Sequence, residues 1–79
     1  MLSVEIEDRV VARQASRNGN AAALRQRAGL TQDEIAQAAG VSAATISRWE
    51  AGIRRPTGAA SARYGRILRE LATRLESAP

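Results

Sequence analysis

The sequence predicts an all-α protein, a compact bundle of five helices, and three observations support this prediction. Apolar residues recur three or four positions apart along much of the 79-residue chain, as on the buried side of amphipathic helices. Hydroxyl-bearing residues and glycines stand where such helices would begin and end. No stretch alternates apolar and polar residues as a half-buried β-strand does. A chain of this length has room for one domain with a thin core.

The first two helices are predicted at about residues 4–15 and 21–28. Ser3 is a suitable N-cap for the first, and the acidic residues of its opening turn suit the positive end of a helix dipole. Residues 16–20, Ser-Arg-Asn-Gly-Asn, predict a break in the chain. Gly29 is the predicted C-cap of the second helix.

The third helix has the strongest local signal in the sequence. Thr31 and Glu34 form the pattern of a capping box, in which each side chain accepts a hydrogen bond from the other residue's backbone N–H. This helix is predicted to run to Ala39 and to stop at Gly40, where glycine allows a left-handed backbone without strain.

The fourth helix follows a turn of only three residues. Ser42 is its predicted N-cap, and the helix is expected to end before Gly52. Ile46 and Trp49 lie three positions apart and are predicted to dock the helix on the core. The remaining positions are then expected to face outward: 43, 44, 47, 48 and 51.

The fifth helix is predicted at about residues 58–75, after the loop Ile-Arg-Arg-Pro-Thr-Gly. Its apolar positions fall at helical spacing, namely Tyr64, Ile67, Leu68, Leu71 and Leu75. Gly65 leaves two alternatives open: it splits this segment into two helices, or it lets the backbone pack closely against a neighbour.

The charge distribution predicts a polyanionic partner. The formal net charge is +4, and every basic side chain is an arginine, whose planar guanidinium suits phosphate and guanine. A GC-rich genome would explain arginine in place of lysine, but not where the charge lies. Residues 21–79 carry nine arginines against five acids, whereas residues 1–20 are balanced.

The same composition predicts that the protein is not an enzyme. Cysteine and histidine are both absent, which removes thiolate sites and most metal and general-base chemistry. Ser42, Ser47 and Ser61 therefore have no base to activate them as nucleophiles. We expect no catalytic residues, metal, cofactor or small-molecule substrate. No apolar run approaches the roughly 18 residues of a membrane span, so we expect no membrane partner and a cytoplasmic location, at the nucleoid.

The third and fourth helices together have the pattern of a helix-turn-helix. They are joined by Gly40-Val41-Ser42, and Ala36 is small where the second helix would cross it. The stretch TQDEIAQAAGVSAATISRWEAGIRRPTG resembles the phage repressor and Cro family, the xenobiotic-response-element-like DNA-binding domains. The resemblance covers about residues 24–71 and implies a fold of the lambda-repressor-like type.

This resemblance implies roles for particular positions. Base edges in the major groove would be read by Ala43, Ala44, Ser47 and Arg48. Phosphates would be bound by Gln32, Thr45, Arg54 and Arg55. To these the charge distribution adds Arg25 and Arg27, with Arg17 as a weaker candidate.

The recognition positions themselves predict limited direct readout. Ala43 and Ala44 offer only methyl groups to a thymine methyl, whereas Arg48 is able to pair bidentately with guanine. Such a pair favours guanine over another base at that position by about 1–3 kcal/mol. Ser47 adds a weaker hydrogen bond. Glu50 is expected to form a structural ion pair with a nearby arginine rather than to read a base. We therefore expect phosphate contacts to dominate affinity, with a steep salt dependence.

These observations predict a small, sequence-preferring regulator of double-stranded DNA, Cro-like or repressor-like, with a helix of about residues 43–51 in the major groove. Residues 1–19 are expected to form an N-terminal helix and connector, and residues 20–79 the DNA-binding domain, within one globule. Two alternatives remain: a protein-binding module such as an antitoxin or adaptor, and a DNA-bending recombination accessory protein.

A homodimer on a palindromic operator is a further alternative, because one recognition helix covers few base pairs. Two surfaces are candidates for self-association, although both are equally explained as coverage of a small core. One is the stripe of Leu68, Leu71 and Leu75, and the other is the first helix with Ile6 and Val10.

Overall fold

The computed structural model describes residues 2–77, and this part of the chain contains five α-helices and no strand. The predicted all-α, five-helix architecture is therefore confirmed. The helices are α1 (Val4–Asn18), α2 (Asn20–Arg27), α3 (Gln32–Ala39), α4 (Ala43–Glu50) and α5 (Gly58–Ser77).

A break occurs within residues 16–20 as predicted, but it is confined to one residue. α1 continues to Asn18, and α2 begins at Asn20, so Gly19 alone turns the chain. Gly19 has φ of 82°, in the left-handed region, and the Asn20 backbone N–H donates to the Asn18 side chain. One glycine in this conformation suffices to reorient a helix, because it ends one helix and caps the next.

The end of α2 also differs from the prediction by one residue. Ala28 is the C-cap of α2, and Gly29 follows it with φ of 72°. The three predicted caps around α3 and α4 are confirmed. Thr31 forms a complete capping box with Glu34, Gly40 is left-handed at φ of 75°, and Ser42 accepts a hydrogen bond from the Thr45 N–H.

Gly65 does not split α5, which is one continuous helix of 20 residues. Gly65 is buried, and a Cβ atom added there would overlap the backbone carbonyl of Asp8 in α1. The second alternative is therefore correct: the missing side chain lets α1 cross α5 at close range. Beside this crossing, Arg69 donates from Nη1 to the buried Asp8 carboxylate.

The core lies where α3, α4 and α5 meet under α1. Ile35, Ile46, Tyr64 and Leu68 are each at most 2% exposed. The rings of Trp49 and Tyr64 pack with centroids 4.9 Å apart and join α4 to α5. Small alanines fill the rest of the core: Ala12, Ala15, Ala21, Ala36 and Ala39.

Within residues 2–77, none of the helices combines the length and the apolar character needed to cross a membrane.

Candidate nucleic-acid interface

α3 and α4 form a tight helix-turn-helix. The Val41 backbone N–H donates to the Ala36 carbonyl over 3.0 Å, which closes the turn. Ala36 is buried, and Val41 packs against the core from the turn. A larger side chain at either the crossing or the turn would separate the two helices, so the small residues determine how closely α4 approaches α3.

The two faces of α4 differ completely in exposure. Ile46 and Trp49 are buried, whereas Ala44, Ser47 and Arg48 are exposed. Arg48 makes no ion pair with any residue between 2 and 77. The outer face of α4 therefore presents small side chains and one free guanidinium group.

Two predicted contact residues of α4 lie deeper than expected. Ala43 was expected to face outward, but it is half-buried and packs against the core. It shares a shallow depression with Gln32, at the point where the first turns of α3 and α4 meet. Thr45 is also half-buried, and its hydroxyl lies 3.0 Å from that of Ser42, so it forms part of the helix cap.

Behind α4, Glu50 binds side chains from two other helices. Arg25 of α2 donates to both carboxylate oxygens, from Nε over 2.6 Å and from Nη2 over 3.0 Å. Gln32 of α3 donates from Nε2 to the same carboxylate over 3.1 Å. We call Arg25, Gln32 and Glu50 the Glu50 network. A structural ion pair of Glu50 with a nearby arginine was predicted, and it is confirmed with Arg25 as the partner.

The Glu50 network is a buried charge pair. The Arg25 and Glu50 side chains are 14% and 7% exposed. Burial by itself would raise the pKa of Glu50, but the hydrogen bonds from Arg25 and Gln32 and the charge of Arg25 lower that pKa below its ordinary value. The same hydrogen bond with Glu50 raises the pKa of Arg25. Glu50 is thus an ionised carboxylate whose charge is neutralised inside the protein.

The network changes the roles available to its members. Arg25 also donates from Nη1 to the Leu30 carbonyl, so its guanidinium is committed within the protein, and these contacts do not favour the predicted phosphate role. Gln32 has a side-chain amide with two N–H donors, one of which is used by Glu50. The second donor stays available at the start of α3.

Arg54 and Arg55 lie in the loop that leaves α4. The backbone N–H groups of Ile53 and Arg54 both donate to the Arg48 carbonyl, over 3.0 and 3.3 Å. The loop is therefore held against the last turn of α4. Both arginine side chains are exposed, and so is Arg27 in α2.

Two long-range contacts join these helices, and their partners were not predicted from the sequence. Arg63 of α5 donates from Nε to the Ala39 carbonyl at the end of α3, over 2.8 Å. Its partner is 24 residues away, as Arg25 is 25 residues from Glu50. No local pattern identifies such pairs, because the two partners lie on different helices and are far apart in the sequence.

The two candidate surfaces for self-association have different exposure. Leu68 is 1% exposed, and Leu71 packs against the core from α5, so this stripe is largely used within the chain. In α1, Ile6 is 47% exposed and Val10 is 38% exposed. We call Ile6 and Val10 the exposed apolar strip of α1. Leu2 and Val4 are also exposed, but Val4 lies on another side of α1, beside α5.

A family comparison covers most of the chain. Residues 22–76 match the family described as Helix-turn-helix, of the Cro/C1 type, which consists of DNA-binding regulator domains. The match includes α3 and α4 and begins after α1 has ended. No curated protein and no solved structure matches the chain significantly.

Proposed function

Because the chain belongs to the Cro/C1-type helix-turn-helix family, we propose that it is a Cro-like or repressor-like regulator that places α4 in the major groove of operator DNA. The observation that carries this proposal is the orientation of α4. Ile46 and Trp49 hold it against the core, and Arg48 extends from the opposite side without an ion-pair partner among residues 2–77.

In this proposal, Arg48 reads guanine through bidentate donation to O6 and N7. Ser47 adds a less selective hydrogen bond, and the methyl of Ala44 contacts a thymine methyl. Ala43 contributes less than was expected from the sequence, because its side chain already packs partly against the core. The proposed code is therefore short and centred on one guanine.

Phosphate contacts supply most of the proposed affinity. The free amide N–H of Gln32 donates to one phosphate, close to the N-terminus of α3. Arg54 and Arg55 bind phosphates beside the end of α4, Arg27 binds one from α2, and the Thr45 hydroxyl contributes at the start of α4. Arg25 acts instead as a positioning residue, since it holds Glu50, which in turn orients Gln32.

Selection of bound duplexes from a random pool, at two salt concentrations, tests this proposal. We expect enrichment of a short guanine-containing motif. Arg48→Ala should remove the preference for that guanine, at a cost of about 1–3 kcal/mol for the preferred site. Arg55→Ala should weaken binding to all sequences alike and reduce the slope of log K against log salt by about 0.9.

Arg74→Ala is the matched control, because Arg74 is exposed on α5 and removal of its guanidinium changes the net charge equally. It should leave both the motif and the slope nearly unchanged. Unselective recovery of duplexes by the unmodified protein, or an unchanged motif for Arg48→Ala, would contradict the proposed readout.

We further propose that the regulator acts in the cytoplasm at the nucleoid and dimerises on a palindromic operator. The exposed apolar strip of α1 supports this arrangement, whereas Leu68 is already buried. Light scattering at tens of micromolar protein, with and without the selected duplex, tests the dimer. A monomer in both samples, together with selected motifs that lack two-fold symmetry, would exclude it.

The exposed apolar side chains at this end of the described chain support a second candidate function, a module that binds another protein. Val4 is 65% exposed and Leu2 is 55% exposed, and both lie outside the family match. Ile6→Asp should then abolish binding to that partner while DNA binding persists. Negligible DNA binding at 50 mM salt, with tight binding of a purified protein partner, would favour this candidate over the regulator.

A further inference from the structure

α1 and the loop after α4 enclose a groove of about 440 Å³ that is lined by arginine. Arg13 and Arg17 line it from α1, and Arg54 and Arg55 line it from the loop. Gln14 also lines it, and no acidic residue does so within the described chain. We call this the arginine groove.

Another groove of the protein contains both arginines and acidic residues, unlike the arginine groove. A second groove, of about 790 Å³ between α1 and α5, is also lined by four arginines. That groove contains Glu5, Asp8 and Glu70 as well, and two of its arginines form ion pairs with these acids. All four arginines of the arginine groove therefore lack an ion pair within residues 2–77, whereas two of the four in the second groove have one.

The arginine groove adjoins the proposed recognition helix. One of its walls is the loop whose Arg54 N–H donates to the Arg48 carbonyl over 3.3 Å. The other wall is attached to this loop, because Arg13 donates from Nε to the Pro56 carbonyl over 3.4 Å. Pro56 is itself buried, so this contact anchors the loop against α1.

Four guanidinium groups around one groove repel each other unless an anion lies among them. Each guanidinium presents a planar set of donors that matches two oxygens of one phosphate. The spacing of Arg13 and Arg17, four residues apart on α1, places both on one helix face, about 6 Å apart along the axis.

We propose that the arginine groove binds the sugar-phosphate backbone of DNA beside the bases that α4 reads. α1, which precedes the family match, thereby extends the contact by two arginines. This inference rests on the proposed function, because it requires that α4 lies in the major groove. It adds affinity and salt dependence but no sequence preference, since phosphates carry no base information.

The decisive measurement is the salt dependence of affinity for the selected duplex. Each phosphate contact that is lost lowers the slope by about 0.9, so Arg13→Ala with Arg17→Ala should lower it by about 1.8. The selected base motif should not change. The matched control is Arg66→Ala with Arg74→Ala, which removes two exposed arginines from the other groove and should leave the slope nearly unchanged.

Thermal unfolding of each variant controls for the Arg13 contact with the loop. If the double variant unfolds at the assay temperature, Arg17→Ala alone carries the test against Arg74→Ala, because neither side chain forms an ion pair within residues 2–77. The expected slope change is then about 0.9.

Ethylation of individual phosphates gives an independent readout. Ethyl groups on phosphates flanking the motif should weaken binding of the unmodified protein. For Arg17→Ala, the interference should vanish at the phosphate that Arg17 binds and persist at those bound by Arg54 and Arg55. Equal slopes for the groove variant and its control, or the same interference pattern for the unmodified protein and Arg17→Ala, would overturn the inference and leave the proposed function intact. Failure of the unmodified protein to bind any duplex would instead overturn the proposed function.

Discussion

Two regions of this surface contain similar numbers of arginines but use them differently. On the α1–α5 side, Arg66 pairs with Glu70 and Arg69 pairs with Asp8. On the side formed by α4 and its loop, the exposed arginines form no ion pairs among the described residues: Arg48, Arg54 and Arg55. The one acid in α4, Glu50, is turned inward and neutralised by Arg25.

This difference shows why net charge alone does not locate a binding surface. An ion pair within the protein removes an arginine from competition for phosphate, whereas an unpaired arginine gains a partner when DNA binds. Residues 21–79 carry nine arginines, and the three on the α4 side all lack an ion pair within residues 2–77, whereas two on the α1–α5 side have one. The position of the acids therefore distinguishes the two regions more clearly than the position of the arginines does.

The largest expected effect comes from the buried acid of the α4 side. Arg25→Ala leaves the Glu50 carboxylate buried without its cation, which should cost about 3–5 kcal/mol of unfolding free energy. Arg66→Ala, its counterpart on the other side, breaks an exposed i, i+4 pair and should cost about 0.3–0.5 kcal/mol. Denaturant unfolding of both variants measures the contrast, and equal losses would show that the Glu50 network is not a buried pair in solution.

Gly65→Ala should have the next largest effect, and it disrupts the α1–α5 side. In an open helix interior this change is stabilising by about 1 kcal/mol. Here the new methyl group overlaps the Asp8 backbone carbonyl, so we expect a loss of about 2–3 kcal/mol as α1 is displaced. The sign of the change is the test, since a stabilised variant would show that α1 and α5 do not cross closely.

These two variants also separate what the sequence could predict from what it could not. The capping box at Thr31, the turn at Gly40 and the dock of Trp49 depend on residues within a few positions of each other, and each was predicted correctly. The long-range contacts were harder. Asp8 and Arg69 are 61 residues apart, and nothing local to either one indicates the other.

The prediction for Arg25 illustrates this limit in a functional residue. The charge distribution predicted a phosphate contact for Arg25, and Glu50 was separately expected to form an ion pair with an unspecified arginine. The structure makes these two expectations compete for one guanidinium, and Glu50 holds it. A buried carboxylate needs a nearby cation. This requirement favours Arg25 as a partner of Glu50 over Arg25 as a phosphate contact.

Tyr64 connects the two sides through the core, and it predicts an alkaline limit to stability. Burial, followed by the charge of Glu50, raises the pKa of Tyr64 from 10.0 to about 12. The folded state disfavours the phenolate. The contribution of Tyr64 to the free energy of unfolding is therefore fully present below pH 10 and falls by about 2 kcal/mol as the pH rises toward 12. Unfolding at pH 8 to 12 measures this loss. Tyr64→Phe should lack it, and an equal alkaline loss in that variant would assign the effect elsewhere.

The smallest expected effect comes from a substitution that adds an acid to the arginine groove, so that both grooves contain acids. Gln14 is exposed and lines that groove, so Gln14→Glu places a carboxylate three residues before Arg17. The new ion pair should stabilise α1 by about 0.2–0.5 kcal/mol and should lower the salt slope of DNA binding by about 1. Thr73→Glu adds the same charge to the other groove and should change neither slope nor base motif. A Gln14→Glu variant that is more stable but binds DNA more weakly has a neutralised groove, whereas a loss of both stability and affinity would indicate damage to the fold. If Gln14→Glu and Thr73→Glu bind DNA alike, the arginines of α1 do not contact phosphate.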